Sequence, residues 1–512
     1  MNNEQQVDNA TDITIYGATG FVAQYVGEYA IAAILSKDVK QQIKITFAGR
    51  NEKKLKDCLS KLRKVEEMMI ANRNDNKDRT KIPMDIFIAD ANDNEKLRSM
   101  SKRTAVVINC AGPFERYGTN IVEACAITGT DYVDITGEVE WAARMRREFG
   151  PLASKSGARI VSLCGFDSIP SDLTVYKCVQ MLKEYARNHE SSVKLNVSHA
   201  KSWHAFAGLM NGGTLHTALD LPVNLYEWFF DSNTGKMRTV PYFVCDPFIL
   251  IHSSTNALPS ISKLQRWKNI AAKAEWMNNL PSIDNEFNRA VSIPFLMAPV
   301  NAKVVLASAV ALKYTNIEDD KQNSSPFQYK ERLFPLGFST SKKLGILSAV
   351  GGISMLCITT WIAIILKLPY LGKYIANLIL PPGSGSPDYI SRNGYTEIYT
   401  VANGQLNTCQ TDSDSNADKN MKASCRIRFQ GDPGNLVTAQ CVVESALCLL
   451  LNRSELPKRS EDGFGTPAQI FGDIFLKRLM ENTVRPIVIE TQIEEDGCDR
   501  SAKIYKESAK MD

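Results

Sequence analysis

The chain has 512 residues, 44% hydrophobic and 23% charged, which is enough for two or three domains and too apolar for a disordered protein. A net charge of +4, with lysine and arginine spread out and no basic stripe interleaved with aromatics, argues against a nucleic-acid partner. Twelve cysteines without a CxxC pair, and five histidines never at ligand spacing with cysteine or carboxylate, read as reduced intracellular thiols and predict no metal site.

The polar opening MNNEQQVDNATD has neither the basic end nor the apolar stretch of a secretory signal, which predicts a cytosolic start. The first element is ITIYG, ending at Gly17, whose β-branched and aromatic residues suit a buried parallel strand. FVAQYVGEYAIAAIL follows from Phe21 with apolar residues at helical spacing, and Gly17 and Gly20 sit at the junction. A strand that feeds a helix through glycines lets backbone N–H groups approach a diphosphate, and the helix N-terminus adds partial positive charge. The pattern is GxxGxxA, with Ala23 small enough for close helix-on-strand packing. The residues expected at the diphosphate are Gly17, Ala18, Thr19, Gly20, Phe21 and Val22. Taken alone, the same pattern also describes a tight turn with no ligand.

The next strand-like run is IKITFAGR, Ile43 to Arg50. NAD sites place an acidic residue at the end of this strand to bind the ribose hydroxyls. Here Arg50 stands there, followed by Lys53 and Lys54, a cationic arrangement suited to a 2′-phosphate, so NADP is expected ahead of NAD. The plainer alternative is that Arg50 caps an exposed loop. Further runs end at Asp90, Phe114, Glu138 and Asp172, with helical segments between them. This alternation predicts an α/β fold, a doubly wound parallel sheet with right-handed crossovers and ligands beyond the carboxyl ends of its strands. Asp90 then meets the adenine edge, and Cys110, Ala111 and Gly112, with Pro113, line the nicotinamide side. Asp167 and Ser168, at the end of the last run, are the candidates for catalysis, although Asp before Ser-Ile-Pro is also a natural helix N-cap or turn residue.

From Val193 to Leu306, short strand-like runs and a glycine turn at Gly208, Gly212 and Gly213 predict an α+β domain with a mixed sheet. Nearby His204, Asn211, Thr214 and His216 read more readily as satisfied hydrogen-bonding groups than as catalysts. LGILSAVGGISMLCITTWIAIIL, Leu344 to Leu366, carries no charge and as a helix would extend about 35 Å, against a bilayer core of about 30 Å. Lys342 and Lys343 before it and Lys367 and Lys373 after it give no orientation for a single span. A break at Pro369 favours a monotopic hairpin or interfacial insertion, with a spanning helix second and a buried core helix as the soluble alternative. Leu436 to Leu451 and Thr466 to Leu479 have helical apolar spacing and are expected to cap the first domain.

The stretches YGATGFVAQYV, FAGRNEKKL, VINCAGPFERYG, DYVDITGE and CGFDSIPSDL together resemble the saccharopine dehydrogenase-like oxidoreductases, a group that includes mycobacterial trans-acting enoyl reductases. The likeness continues through GLMNGGTLHTAL, PFLMAPVNAKVV, FQYKE, DPGNLVTA and GFGTPA, over nearly the whole chain. Two departures stand out: Ala23 replaces the glycine usual in GATGFTG, and Asn435 stands where an aromatic usually follows DPG.

The resemblance implies an NAD(P)-binding Rossmann-type domain (1–172) and an α+β substrate or oligomerisation domain (173–340). After these come a hydrophobic membrane or lipid-droplet segment (341–382) and a C-terminal remainder whose helices pack on the first domain (383–512). It also implies attachment to the cytosolic face of membranes or lipid droplets. The expected function is an NADPH-dependent reductase of a lipid-like enone or imine, with a link to glycolipid synthesis implied by the enoyl reductases alone. A non-catalytic NADP(H)-binding lipid-surface protein is the alternative. Saccharopine itself is a poor fit, because no arginine cluster is dedicated to its several carboxylates, and self-association stays open.

Overall fold

Strand β1 (Thr11–Tyr16) alternates β-branched residues on both faces, and Ile13 and Ile15 are fully buried, as a central parallel strand requires. The computed structural model describes residues 11–36, 42–72, 81–189, 194–208, 290–315, 327–334, 384–407 and 419–495, with a few isolated positions between 249 and 381. β1 pairs in parallel with β2 (Ile45–Gly49) on one side and β4 (Thr104–Asn109) on the other. β3 (Met84–Ile88) extends the first edge, and β5 (Asp131–Asp134) and β6 (Ile160–Val161) the second, giving the order β3-β2-β1-β4-β5-β6. The strand order reverses between β1 and β4, so a crevice opens above their carboxyl ends.

Helices α1 (Phe21–Ser36), α2 (Glu52–Ala71), α3 (Asn94–Lys102), α4 (Phe114–Tyr117), α5 (Thr119–Thr128) and α6 (Val139–Ser156) connect these strands. The doubly wound α/β architecture expected from the sequence is present. Its last strand is much shorter than the run ARIVSLC suggests. The N–H groups of Leu163 and Cys164 turn away from the sheet to Asp134, donating to its Oδ1 at 3.0 Å and its backbone oxygen at 2.8 Å. Leu163 is held in the left-handed region, at φ 61°, which a branched side chain adopts only when its surroundings impose it.

After this turn α7 (Ile169–His189) crosses to a second, mixed sheet of β7 (Lys194–Ala207), β8 (Ser282–Asp284), β9 (Ala290–Pro294), β10 (Gln328–Leu333), β11 (Tyr395–Asn407), β12 (Lys419–Gln430) and β13 (Val488–Glu495). Its order is β13-β12-β11-β7-β10-β9-β8; β7 and β10 run parallel, and the other pairs antiparallel. Also present are α8 (Ala298–Ala311), α9 (Asp388–Asn393), α10 (Thr438–Leu451) and α11 (Pro467–Met480). One apolar core runs from Ile13 and Val26 through Leu173 and Val179 to Ile427 and Val443, so both sheets share it.

Pro433–Leu451, a π-turn followed by α10, is the one helix among the described residues long and apolar enough to cross a membrane, and 83% of it is buried inside the protein. Burial explains its composition. Its Glu444 is fully buried and accepts hydrogen bonds from Arg478 (2.7 Å), Asn482 (2.8 Å) and Tyr29 (3.1 Å), as a buried carboxylate must. The segment 344–366, Ser354 apart, lies outside the described residues, as do Asn211, Gly212, Gly213, Thr214 and His216. Past that segment the chain lies over the first turns of α1. A Cβ on Gly385 would fall 2.1 Å from the Phe21 ring, and Tyr25 donates to Asp388 at 3.2 Å.

Candidate active site

At the switch point, Gly17 has φ +74° and a Cβ there would lie 2.8 to 2.9 Å from the backbone and Cβ of Ala111. Only glycine lets the β1–α1 turn and the loop after β4 approach this closely. Gly17 and Ala18 donate their N–H groups to Ala48 O (2.9 and 3.2 Å), and Gly20 donates to Gly17 O (2.9 Å). Those amides shape the turn. The donors an anion would meet are those of Thr19 and of Phe21 and Val22, which open α1. Ala23 is buried where close packing is needed, and Gly27 one turn on lies tight against Leu62 and Phe47.

Arg50 is exposed at the end of β2, next to Asn51, whose side chain caps α2 by accepting the Lys54 N–H at 2.9 Å. Among the described residues neither Arg50, Lys53 nor Lys54 forms an ion pair, and no carboxylate ends β2. This strand end fits an adenosine 2′-phosphate. Asp90, half-buried after β3, has Oδ1 engaged by the Asn92 N–H at 3.0 Å, so it serves its own turn as well as facing the crevice edge. Cys110, half-buried, has its thiol pushed up to about 12 by burial and by the charge of Asp134, and is inert as a nucleophile. Ala111 and Gly112 lead into α4, whose first amides, on Phe114 and Glu115, donate to Glu138 Oε1 and Oε2, both at 2.8 Å. The carboxylate of DITGE thus fixes the loop CAGPF.

The second constellation is made of side chains. Alternation along β7 and β10 puts Ser202 and His204, and Tyr329 and Glu331, on the sheet face that meets α7. Glu331 Oε1 accepts from Ser171 (2.5 Å), Tyr329 (2.7 Å) and His204 Nε2 (3.0 Å), and its Oε2 from Asn301 (3.0 Å). Burial pushes Glu331 up, but the His204 charge and the hydrogen bonds outweigh it, and the net shift is downward. Asp167 is raised from 3.8 to about 7, by burial and then by the Glu331 charge. Two neighbouring carboxyl groups are thereby driven apart, one ionised and one able to hold a proton near neutrality.

Around His204 stand Phe295, stacked at 4.4 Å, and Phe166, edge-on at 5.9 Å, with Phe206 against both phenylalanines. Met297, two residues past Phe295, would lie 3.6 Å from a Cβ on Gly137, in the loop after β5. The cluster therefore borders the carboxyl edge of the first sheet, near the loops after β5 and β6. His204 Nδ1, Asn301 Oδ1, Asp167 Oδ1 and Ser168 Oγ are buried with no hydrogen-bond partner among the described residues.

A glycine turn at a switch point, with a cationic end to β2, defines an NADP-binding oxidoreductase. Comparison with known proteins narrows the class. Residues 13–190 match the family model described as saccharopine dehydrogenase NADP binding domain. That match covers the first sheet and α7, and with it the chain is an NAD(P)-dependent oxidoreductase. It is 27% identical over 474 residues to a Mycobacterium tuberculosis protein named provisionally as a trans-acting enoyl reductase, covering 91% of this chain and 95% of that one. It is 34% identical over 164 residues to a lipid droplet localized protein of Caenorhabditis elegans, covering 32% of this chain and 35% of that one. Saccharopine dehydrogenase (L-Glu forming) from Saccharomyces cerevisiae aligns over 94% of this chain and 100% of that chain at 13% identity, with a TM-score of 0.45.

The sequence pattern put Asp167 and Ser168 at the end of the last strand run, whereas they stand in the loop between β6 and α7, and it gave no role to Ser171, Asn301, Tyr329 or Glu331. The stretches CGFDSIPSDL, PFLMAPVNAKVV and FQYKE were visible as motifs; what joins them is tertiary contact. DPGNLVTA and GFGTPA buttress the same loop. Thr438 Oγ1 accepts the Phe166 N–H at 3.2 Å, and Ile160 donates to Gly463 O at 2.9 Å. Asp172, fully buried and raised to about 7 by burial, accepts the Ala468 N–H at 2.8 Å. Asn435, the departure after DPG, is buried and bonds Asp432 (2.8 Å) and Ser391 (3.2 Å), tying that turn to α9.

Proposed function

We propose that the protein is an NADPH-dependent reductase of a neutral, lipid-like enone or imine, working at a membrane or lipid-droplet surface. The observation that carries this reading is the make-up of the cluster around His204. Phe166, Phe206 and Phe295 surround one buried histidine, and among the described residues no lysine or arginine pairs with Glu331 or Asp167. An acceptor with several carboxylates, such as saccharopine, would need cations there. Leu296, next to the buried Phe295, is 72% exposed and puts an apolar side chain at the surface. The enoyl reductase and lipid droplet names of relatives agree, and the uncharged stretch 344–366 supplies a means of attachment. Bound NADPH supplies the hydride; the chain's part is to hold dinucleotide and acceptor together and exclude water.

The test is NADPH absorbance during incubation of the full chain with a lipid extract. Oxidation that depends on the extract supports the reductase, whereas tight dinucleotide binding without turnover favours a non-catalytic NADP(H)-binding lipid-surface protein. Arg50→Asp is expected to weaken NADPH binding about 10- to 100-fold more than NADH binding, from the loss of a charge-assisted contact worth about 1.5–3 kcal/mol. Equal losses would contradict the 2′-phosphate assignment. Deleting 344–366 should move the protein into the soluble fraction.

A further inference from the structure

We propose that His204 is the proton-donating catalytic residue of this site, its ring fixed by the Glu331 carboxylate so that Nδ1 is the atom presented to the acceptor. The inference rests on the reductase reading. Glu331 accepts hydrogen bonds from Ser171, Tyr329, His204 and Asn301, and Oε1 alone takes three of them. A carboxylate so supplied remains an acceptor, so the His204 nitrogen facing it, Nε2, carries hydrogen in both charge states of the ring. Nδ1 is then the position that gains and loses a proton.

That atom is buried, and among the described residues it has no partner. The ring is 1% exposed, stacked on Phe295 and braced by Phe166, so it cannot turn to exchange its two nitrogens without breaking both packing and the bond to Glu331. Glu331 from β10 is the titratable group bonded to the ring, and Tyr329 from β10 and Asp167 from the loop after β6 act on that same carboxylate. From α7 and α8 come the neutral Ser171 and Asn301, and from β11 the apolar Ile398. Neither a second histidine nor a lysine stands among these neighbours to take over the role.

In the reduction, hydride adds to the β carbon of a conjugated enone, or to the carbon of an imine. The proton leaves Nδ1 for the α carbon, or for the imine nitrogen. The imidazolium becomes neutral imidazole, still donating Nε2–H to Glu331, and solvent restores the proton after product leaves. One acceptor, one NADPH and one proton give one reduced product and one NADP+.

Two measurements decide the assignment. The full chain, labelled with 15N-histidine and loaded with NADP+, is examined by NMR, His204 being assigned by loss of its signal in His204→Gln. The expected neutral tautomer carries hydrogen on Nε2; hydrogen on Nδ1 overturns the proposal. Turnover is measured with trans-3-nonen-2-one as a neutral apolar enone. His204→Gln is expected to lower kcat for NADPH oxidation about 100-fold while NADP+ affinity stays within threefold, and Glu331→Gln to lower kcat and displace its pH profile. A His204→Gln protein that turns over the enone within threefold of the parent also overturns the proposal. If the parent itself does not oxidise NADPH with this enone, the enone reading fails, and the tautomer alone decides the place of the proton.

Discussion

The glycine turn after β1 and the cluster around Glu331 both stand toward the carboxyl edge of the first sheet but are built in opposite ways. The first presents backbone: Gly17 works by having no side chain, and its neighbours are consecutive in the chain. The second presents side chains from α7, α8, β7 and β10, and no two of its four donors to Glu331 are sequence neighbours. The turn is open to water at Thr19 and Arg50, and a phosphate bound at a half-buried helix start would not need water excluded. The cluster depends on water being kept out, since burial is what separates the protonation of Asp167 from that of Glu331.

This contrast predicts a separation of effects. Glu331→Ala strands the Ser171, Tyr329, His204 and Asn301 donors in the core, and unfolding in urea should show a loss of about 3–5 kcal/mol. Provided the assay is run where the variant is folded, its NADP+ affinity by calorimetry should stay within threefold of the parent. A large loss of affinity would mean that the two regions are one mechanical unit. Gly17→Ala is the converse. A methyl group at φ +74°, pressed on Ala111, should cost about 1–3 kcal/mol of stability and at least tenfold in dinucleotide affinity. Unchanged affinity would remove the turn from the dinucleotide site.

The smallest of these effects concerns pH. Asp167 has a folded pKa of about 7 against an ordinary 3.8, so between those values the folded chain holds a proton that the unfolded chain has released. Its contribution to stability is therefore greatest at low pH and is lost as pH rises through about 7. Asp167→Asn should stabilise the protein relative to the parent by about 1 kcal/mol more at pH 7 than at pH 6, read from urea midpoints. Asp172, raised to a similar value by burial, keeps part of the slope in the variant. A parent and variant with parallel pH profiles would place Asp167 in water.

The sequence by itself determined the order of strands and helices in the first sheet, the glycine turn and the cation at the end of β2, because these are set by neighbours a few residues apart. It also carried the family resemblance, in motifs such as CGFDSIPSDL and FQYKE whose roles lie in tertiary contacts. It overran β6, because the residue that ends that strand, Asp134, belongs to β5 and draws away the Leu163 and Cys164 amides. Only the tertiary structure decided that His204 meets Glu331, that Asn301 and Ser171 complete the shell, and that Asp167 lies close enough to feel its charge. Desolvation and long-range pairing depend on what packs over a residue, and no local pattern of residue types records that.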